Sequence, residues 1–227
     1  SEVVEAHTSL IPVINRLGIR LGLKDKSVRE VCHEYGLDAD FVLIIINTFL
    51  NEEYFPEKRL KAFHLSLIVD YLNKTNQYYL RYQIPNVSRH LDLFIQHSTS
   101  DNHTLKLIGK FFHNFKEQLT SQIQYDEQVW FPYCLSTITE EGNRPCLEIA
   151  EGKNRKEDDN TEALLADLKS IMKHLSGDYN ENLCYAVLFA ITTLEKDIKQ
   201  HNRIRERILG QMVQKMEKTN QTNQITE

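Results

Sequence analysis

The chain has 227 residues, 41% of them hydrophobic and 26% charged, which is enough for one medium domain or two small ones with a core of useful size. A formal net charge of −5 gives no global attraction to nucleic acid or to an anionic membrane. Eight glycines and five prolines are too few for the many tight turns of a β-rich fold, so an all-α chain is expected.

Ser1, Glu2 and Glu5 at the start do not make a signal peptide, and the missing initiator Met points to a trimmed chain. Leu10, Val13, Ile14 and Leu17 recur at helical spacing, with Gly18 as the stop. Asp25 or Ser27 caps a short helix through Tyr35 that ends at Gly36, and Asp38 caps a third helix from Asp40 to about Leu50. These residues form a small helical N-terminal domain over 1–56, with Pro56 marking the boundary.

The main body is expected over 57–217. Its first helix runs from Leu60 to about His97 on Phe63, Leu67, Ile68, Tyr71, Leu72, Tyr78 and Tyr79, with Pro85 kinking or splitting it. After a polar break at 98–102, a second helix follows Leu105, Ile108, Phe111, Phe112, Phe115, Leu119 and Ile123 to Trp130 and stops near Pro132 or shortly after. Residues 139–160 are rich in Glu, Asp, Asn, Gly and Lys and read as a mobile loop. A third helix runs from Thr161 to about Leu175, ended by Gly177, and a fourth from Glu181 to about Met216. The tail 218–227 is rich in Asn, Gln and Thr and is expected to be disordered. Four long helices separated by polar breaks imply an up-down-up-down four-helix bundle.

Chemistry-bearing motifs are sparse. The longest apolar run, Phe41-Val42-Leu43-Ile44-Ile45-Ile46, is far short of the ~20 residues of a membrane span. The helix carrying it offers no Arg, Lys, Asn or Gln on its first turns to meet base edges, so it does not read DNA. Cys32, Cys134, Cys146 and Cys184 stand far apart without C-x-x-C spacing, which suits a reducing cytoplasm. His7, His33, His64, His90, His97, His103, His113 and His174 are scattered and form none of the histidine metal motifs, so each reads as a surface or satisfied residue. No phosphate-binding glycine loop, nucleophile elbow or Cys-His nucleophile appears, and no catalytic residue is assigned.

Several short segments carry a family resemblance. Ile68-Val69-Asp70-Tyr71, Tyr78-Tyr79-Leu80-Arg81 and Ile84-Pro85 resemble the first bundle helix of the hemerythrin-like repair-of-iron-centres family. Asp126-Glu127-Gln128-Val129-Trp130-Phe131-Pro132 resembles the end of its second helix, and Leu194 to His201, with Cys184 ahead, resembles its fourth. Gly18-Ile19, Ser27 to Cys32 and Gly36-Leu37-Asp38 are similar to the short domain that precedes the bundle. The resemblance implies a hemerythrin-like bundle, which in that family holds two irons on inward-facing histidines and carboxylates.

Carried over residue by residue, the resemblance meets mostly substituted positions. The first-helix histidine falls on Gln77 and its usual histidine neighbour on Asn76. The second-helix histidine falls on Gln122 and the glutamate one turn later on Asp126. The third-helix histidine falls on about Glu162; the fourth-helix histidine is present as His201, and the glutamate one turn on falls on Arg205. The N-terminal cysteine pair falls on Gly22-Leu23. Amides are poor iron ligands and a guanidinium cannot ligate at all. Arg205 is therefore expected to stand where metal would be and to pair with Asp126, Glu162 or both, with Gln77, Gln122 and His201 completing a polar network. That network is either a decayed site or a ligand-sensing pocket.

Three functions follow from the resemblance and the pattern. The first is a non-catalytic sensory or regulatory module without cofactor, similar to the front half of bacterial transcription regulators whose back half is a LuxR-type helix-turn-helix. DNA binding would then lie in a domain beyond Glu227, with no direct nucleic-acid contact by this chain and no membrane contact. The second is a di-iron protein for repair of iron-sulfur clusters under nitrosative or oxidative stress, as the intact family implies. The third is a scaffold that homodimerises through exposed apolar residues such as Phe55 or Trp130.

Overall fold

The structure, a computed structural model, describes residues 2–56, 63–98, 103–138 and 160–225, with side chains up to 218. Every regular element among them is helical and none is a strand. The chain divides into two compact units. One comprises Ser1–Thr75, Cys134–Asn143 and Gln200–Glu227, the other Asn76–Tyr133 and Arg144–Lys199.

In the first unit, α1 (Glu2–Ala6) comes first, and helices α2 (Ile11–Arg16), α3 (Val28–Glu34) and α4 (Ala39–Leu50) follow local signals closely. Ser27, rather than Asp25, caps α3. Its Oγ accepts from the Glu30 N–H at 3.3 Å while the Glu30 carboxylate accepts from the Ser27 N–H at 2.7 Å, a reciprocal capping box. Asp38 caps α4 by accepting from the Phe41 N–H at 2.8 Å. Helices α2 and α3 end on the same device. The Gly18 and Ile19 N–H groups donate to the Asn15 and Ile14 carbonyls, and those of Gly36 and Leu37 to His33 and Cys32. Gly18 at φ +79° and Gly36 at φ +63° make these reversals without a Cβ penalty.

The apolar run of α4 lies in the core of this unit: Phe41, Val42, Ile44, Ile45 and Ile46 are all buried. The Phe41 ring tilts against Phe63 at 5.6 Å and meets Tyr71 edge-on at 6.4 Å. Arg16 is buried there as well. Its guanidinium lies 5.5 Å from the Tyr71 ring centre, and its Nε donates to the Pro12 carbonyl at 3.1 Å.

In the second unit, four helices share one core: α6 (Ile84–Gln96), α7 (His103–Tyr125), α9 (Thr161–Lys173) and α10 (Glu181–Arg203). Helix α7 buries Leu105, Ile108, Phe112, Phe115, Leu119 and Ile123, in steps of three and four residues that keep one face inward. Helix α9 packs along it with Leu164, Leu165, Leu168 and Met172. Burying side chains of this size stabilises by roughly 2 kcal/mol each.

Glu195 on α10 is joined to Lys169 of α9 and, at 3.4 Å, to Lys199 of its own helix. Burial pushes the Glu195 carboxyl up, but the hydrogen bond and charge of Lys169, aided by Lys199, outweigh it and hold the group below its ordinary 4.5. A lowered carboxylate stabilises the fold fully above the ordinary value and stops doing so as pH falls through the lowered one. Lys169→Met is therefore expected to cost about 2 kcal/mol at neutral pH. The deficit should shrink as pH falls through that lowered value, below which both proteins hold a neutral Glu195. Thermal melts of the two proteins between pH 7 and 3 check the sign and the trend.

Three helices contain a widened π turn: Tyr79–Gln83 between α5 (Leu65–Tyr78) and α6, Asp126–Trp130 between α7 and α8 (Phe131–Ser136), and Ile204–Leu209 between α10 and α11 (Gly210–Ile225). The first two have a proline two residues after them, Pro85 and Pro132. Proline lacks the N–H that the carbonyl four residues back would accept, and the ladder shifts to the next register instead of ending. Of the kink or split expected at Pro85 the structure shows a π turn with the helix continuing, and the second long helix ends at Ser136, shortly after Pro132, as expected. One correction concerns the tail, which is helical to Ile225 where disorder was expected. It contains neither Gly nor Pro after Gly210, and each added residue extends a nucleus already formed. The loop expected over 139–160 lies, except for Asn160, outside the described residues.

Candidate functional site

Each π turn adjoins a position singled out from sequence. Gln77 sits two residues before the first, Asp126 opens the second, and Arg205 is the second residue of the third. A π turn adds one residue to a helical turn and re-aims the side chains around it, which is why such turns collect at functional sites. In the third turn the shift buries two adjacent pairs, Ile204 with Arg205 and Ile208 with Leu209.

In the second unit, Asp126 is completely buried, while Gln77, Gln122 and Glu162 are half-buried. The Gln77 side-chain amide donates to a Glu127 carboxylate oxygen at 2.9 Å, bridging α5 to the second π turn across 50 residues. In the first unit, His201 and Arg205 are both buried. Asp126, Glu162, Gln122, His201 and Arg205 all have interaction partners, as buried polar groups require.

Asn76, on the position of the second first-helix histidine, behaves differently. It is wholly buried, and among the described residues neither its amide nitrogen nor its oxygen has a hydrogen-bond partner. Thr75 beside it satisfies its hydroxyl on the Tyr71 carbonyl at 2.8 Å. An unpaired buried amide costs about 1–3 kcal/mol. Asn76→Leu, close in shape and apolar, is thus expected to raise stability by about 1–2 kcal/mol, measured by urea unfolding. A loss of stability in that variant would reveal a bound partner for the amide.

The donor set does not fit an iron pair. Gln77 spends its amide N–H on Glu127, and an amide nitrogen offers no lone pair to a metal. Arg205 is permanently cationic and cannot ligate. One imidazole, His201, and the carboxylates Asp126 and Glu162 remain. Among the described residues, no group of three or more His, Cys, Asp and Glu side chains is placed to hold a metal ion.

Other expectations have mixed outcomes. Of the scattered histidines, all but the half-buried His90 are exposed. Cys32, Cys134 and Cys184 are all buried. Trp130 is half-buried and stacked on Tyr133 at 5.9 Å, and Phe55 is only moderately exposed. Tyr185 and Phe189, one turn apart on α10, are far more exposed, at 66% and 77%, and were not singled out from sequence. No helix among the described residues is long and apolar enough to cross a membrane.

Sequence reasoning also missed Arg203. Its guanidinium donates to the Thr48 carbonyl at 3.0 Å, the Asn51 carbonyl at 2.9 Å and the Gln200 side-chain oxygen at 2.6 Å, all within the first unit. Helix α4 ends at Leu50, so Thr48 and Asn51 belong to the end whose carbonyls lack helical partners. Burial, together with nearby Arg207, pulls the Arg203 pKa down, while Glu52 and Glu53 pull it up. No local pattern announces a cap whose donor lies some 150 residues away.

No family model matches the chain, and neither does any of the curated proteins compared with it.

Proposed function

We propose that the chain is a non-catalytic sensory or regulatory module, a hemerythrin-like four-helix bundle behind a small helical domain, serving a bacterial transcription regulator whose DNA contacts lie in another domain. The observation that carries this reading is the use of Gln77. At the position of a ligand histidine it makes a structural hydrogen bond to Glu127. The shared core of α6, α7, α9 and α10 supports the up-down-up-down bundle. A net charge of −5 supports the absence of direct DNA contact. In this reading a permanently cationic Arg205 stands at a position where the resemblance implies a metal ligand.

The test is metal analysis of protein expressed in iron-supplemented medium and purified without chelator. Trace, substoichiometric metal is the expected result. A stoichiometric iron pair, lost with His201→Ala, would overturn the proposal in favour of a di-iron repair protein.

A further inference from the structure

The first unit contains a cavity of about 320 Å³ that no part of the reading above uses. Its walls are the side chains of Ile14, Ile19, Val31, Cys32, Val42 and Ile46, all buried, contributed by α2, the turn after it, α3 and α4. Helix α1 borders the same space through Glu2, Val3 and Val4. A second hollow of about 400 Å³, lined by Val3, Ala6, Leu43, Ile46 and Leu50 among others, lies along α1 too. Helix α1 has five residues and buries none of them. A helix this short is not stable by itself, and one without buried side chains opens at little cost. Both spaces border an element that is weakly held.

We infer that this cavity is a binding site for a small, uncharged apolar molecule, admitted by movement of α1. Size sets the ligand class. An apolar cavity of about 150 Å³ accepts benzene, so this one accommodates roughly a dozen non-hydrogen atoms. It falls at the lower end of the range for natural ligand pockets. The walls offer aliphatic carbon and one thiol, Cys32, whose ionisation burial disfavours, and so no charge to meet inside. The rim sets the head group. It carries the carboxylates of Glu2 and Asp25 against one ammonium, Lys26, which is already paired with Glu34. An acidic rim with its cation engaged disfavours a carboxylate ligand and tolerates a neutral polar head such as a hydroxyl.

This deepens the sensory reading by giving it a ligand class. Metal content and alcohol binding are separate measurements, so either can fail without the other. The experiment titrates the full chain with straight-chain primary alcohols from hexanol to tetradecanol, following methyl resonances by NMR and thermal stability. Saturable binding with an optimum near decanol is expected, with shifts concentrated on the methyls of Ile14, Ile19, Val31, Val42 and Ile46. Decanoate at pH 8 should bind at least tenfold more weakly than decanol. Val42→Phe and Ile46→Phe, which fill the space, should each abolish the decanol response, whereas Leu21→Phe on the exposed surface should not. Absence of saturable shifts in the unmodified chain overturns the proposal, whatever the variants do. So does undiminished binding by a folded Val42→Phe protein, or shifts that centre on methyls outside the cavity.

Discussion

Replacing Arg203 by methionine is expected to lower the stability of the chain by about 3 kcal/mol, a loss of order 10 °C in melting temperature for a chain of this size. The substitution keeps the length of the side chain and removes every donor. The Thr48 and Asn51 carbonyls at the end of α4 then lose the guanidinium they share, and the Gln200 side chain loses its partner. Each such bond to a charged donor contributes about 1.5–3 kcal/mol on its own, and the sum is reduced because the exposed part of the site recovers water. Arg203→Lys is expected to restore less than half of the loss, since one compact ammonium cannot span carbonyls that a planar fork reaches together. Arg207→Met, four residues on and exposed, serves as the control and should stay within about 0.5 kcal/mol of the unmodified chain. Urea unfolding followed by circular dichroism at 222 nm gives all three values. An Arg203→Met protein as stable as the control would show that water replaces the guanidinium without loss.

The cap also marks the limit of what the sequence discloses. Where a signal is complete within a few residues, it was legible: Ser27 with Glu30, Asp38 before α4, and Gly18 and Gly36 at helix ends all act as their spacing implies. Asp25 and Ser27 were equal candidates by residue type, and only the reciprocal bond to Glu30 separates them. The prolines were legible as disturbances but not as π turns. Whether a missing N–H ends a helix or shifts its register depends on whether the residues beyond have apolar partners. Beyond Pro85, Val87, Leu91 and Phe94 do. The Asn- and Gln-rich end failed for a related reason: composition argues for disorder only when no helix already leads into it, and here α10 does. In the candidate site, the resemblance implied inward-facing side chains at Asp126, His201 and Arg205, and all three are buried. The bond from Gln77 to Glu127 rather than to the neighbouring Asp126 depends on side-chain direction in a π turn, which residue order does not encode.

Asp126 offers the second large effect and the most direct test of the site. It is fully buried, and a carboxylate in that setting persists only with strong partners. Asp126→Ala is expected to cost about 3–5 kcal/mol, because it strands whatever the carboxylate now satisfies. Asp126→Asn keeps the shape and removes the charge, so it sorts the partners by type. A neutral donor tolerates the amide at about 1 kcal/mol, whereas a cation loses nearly as much as in the alanine variant. The same variants separate the two functions. If Asp126 were an iron ligand, the cost of Asp126→Ala would appear in metal-loaded protein and vanish after chelation, whereas a carboxylate held by protein groups gives the same cost in both.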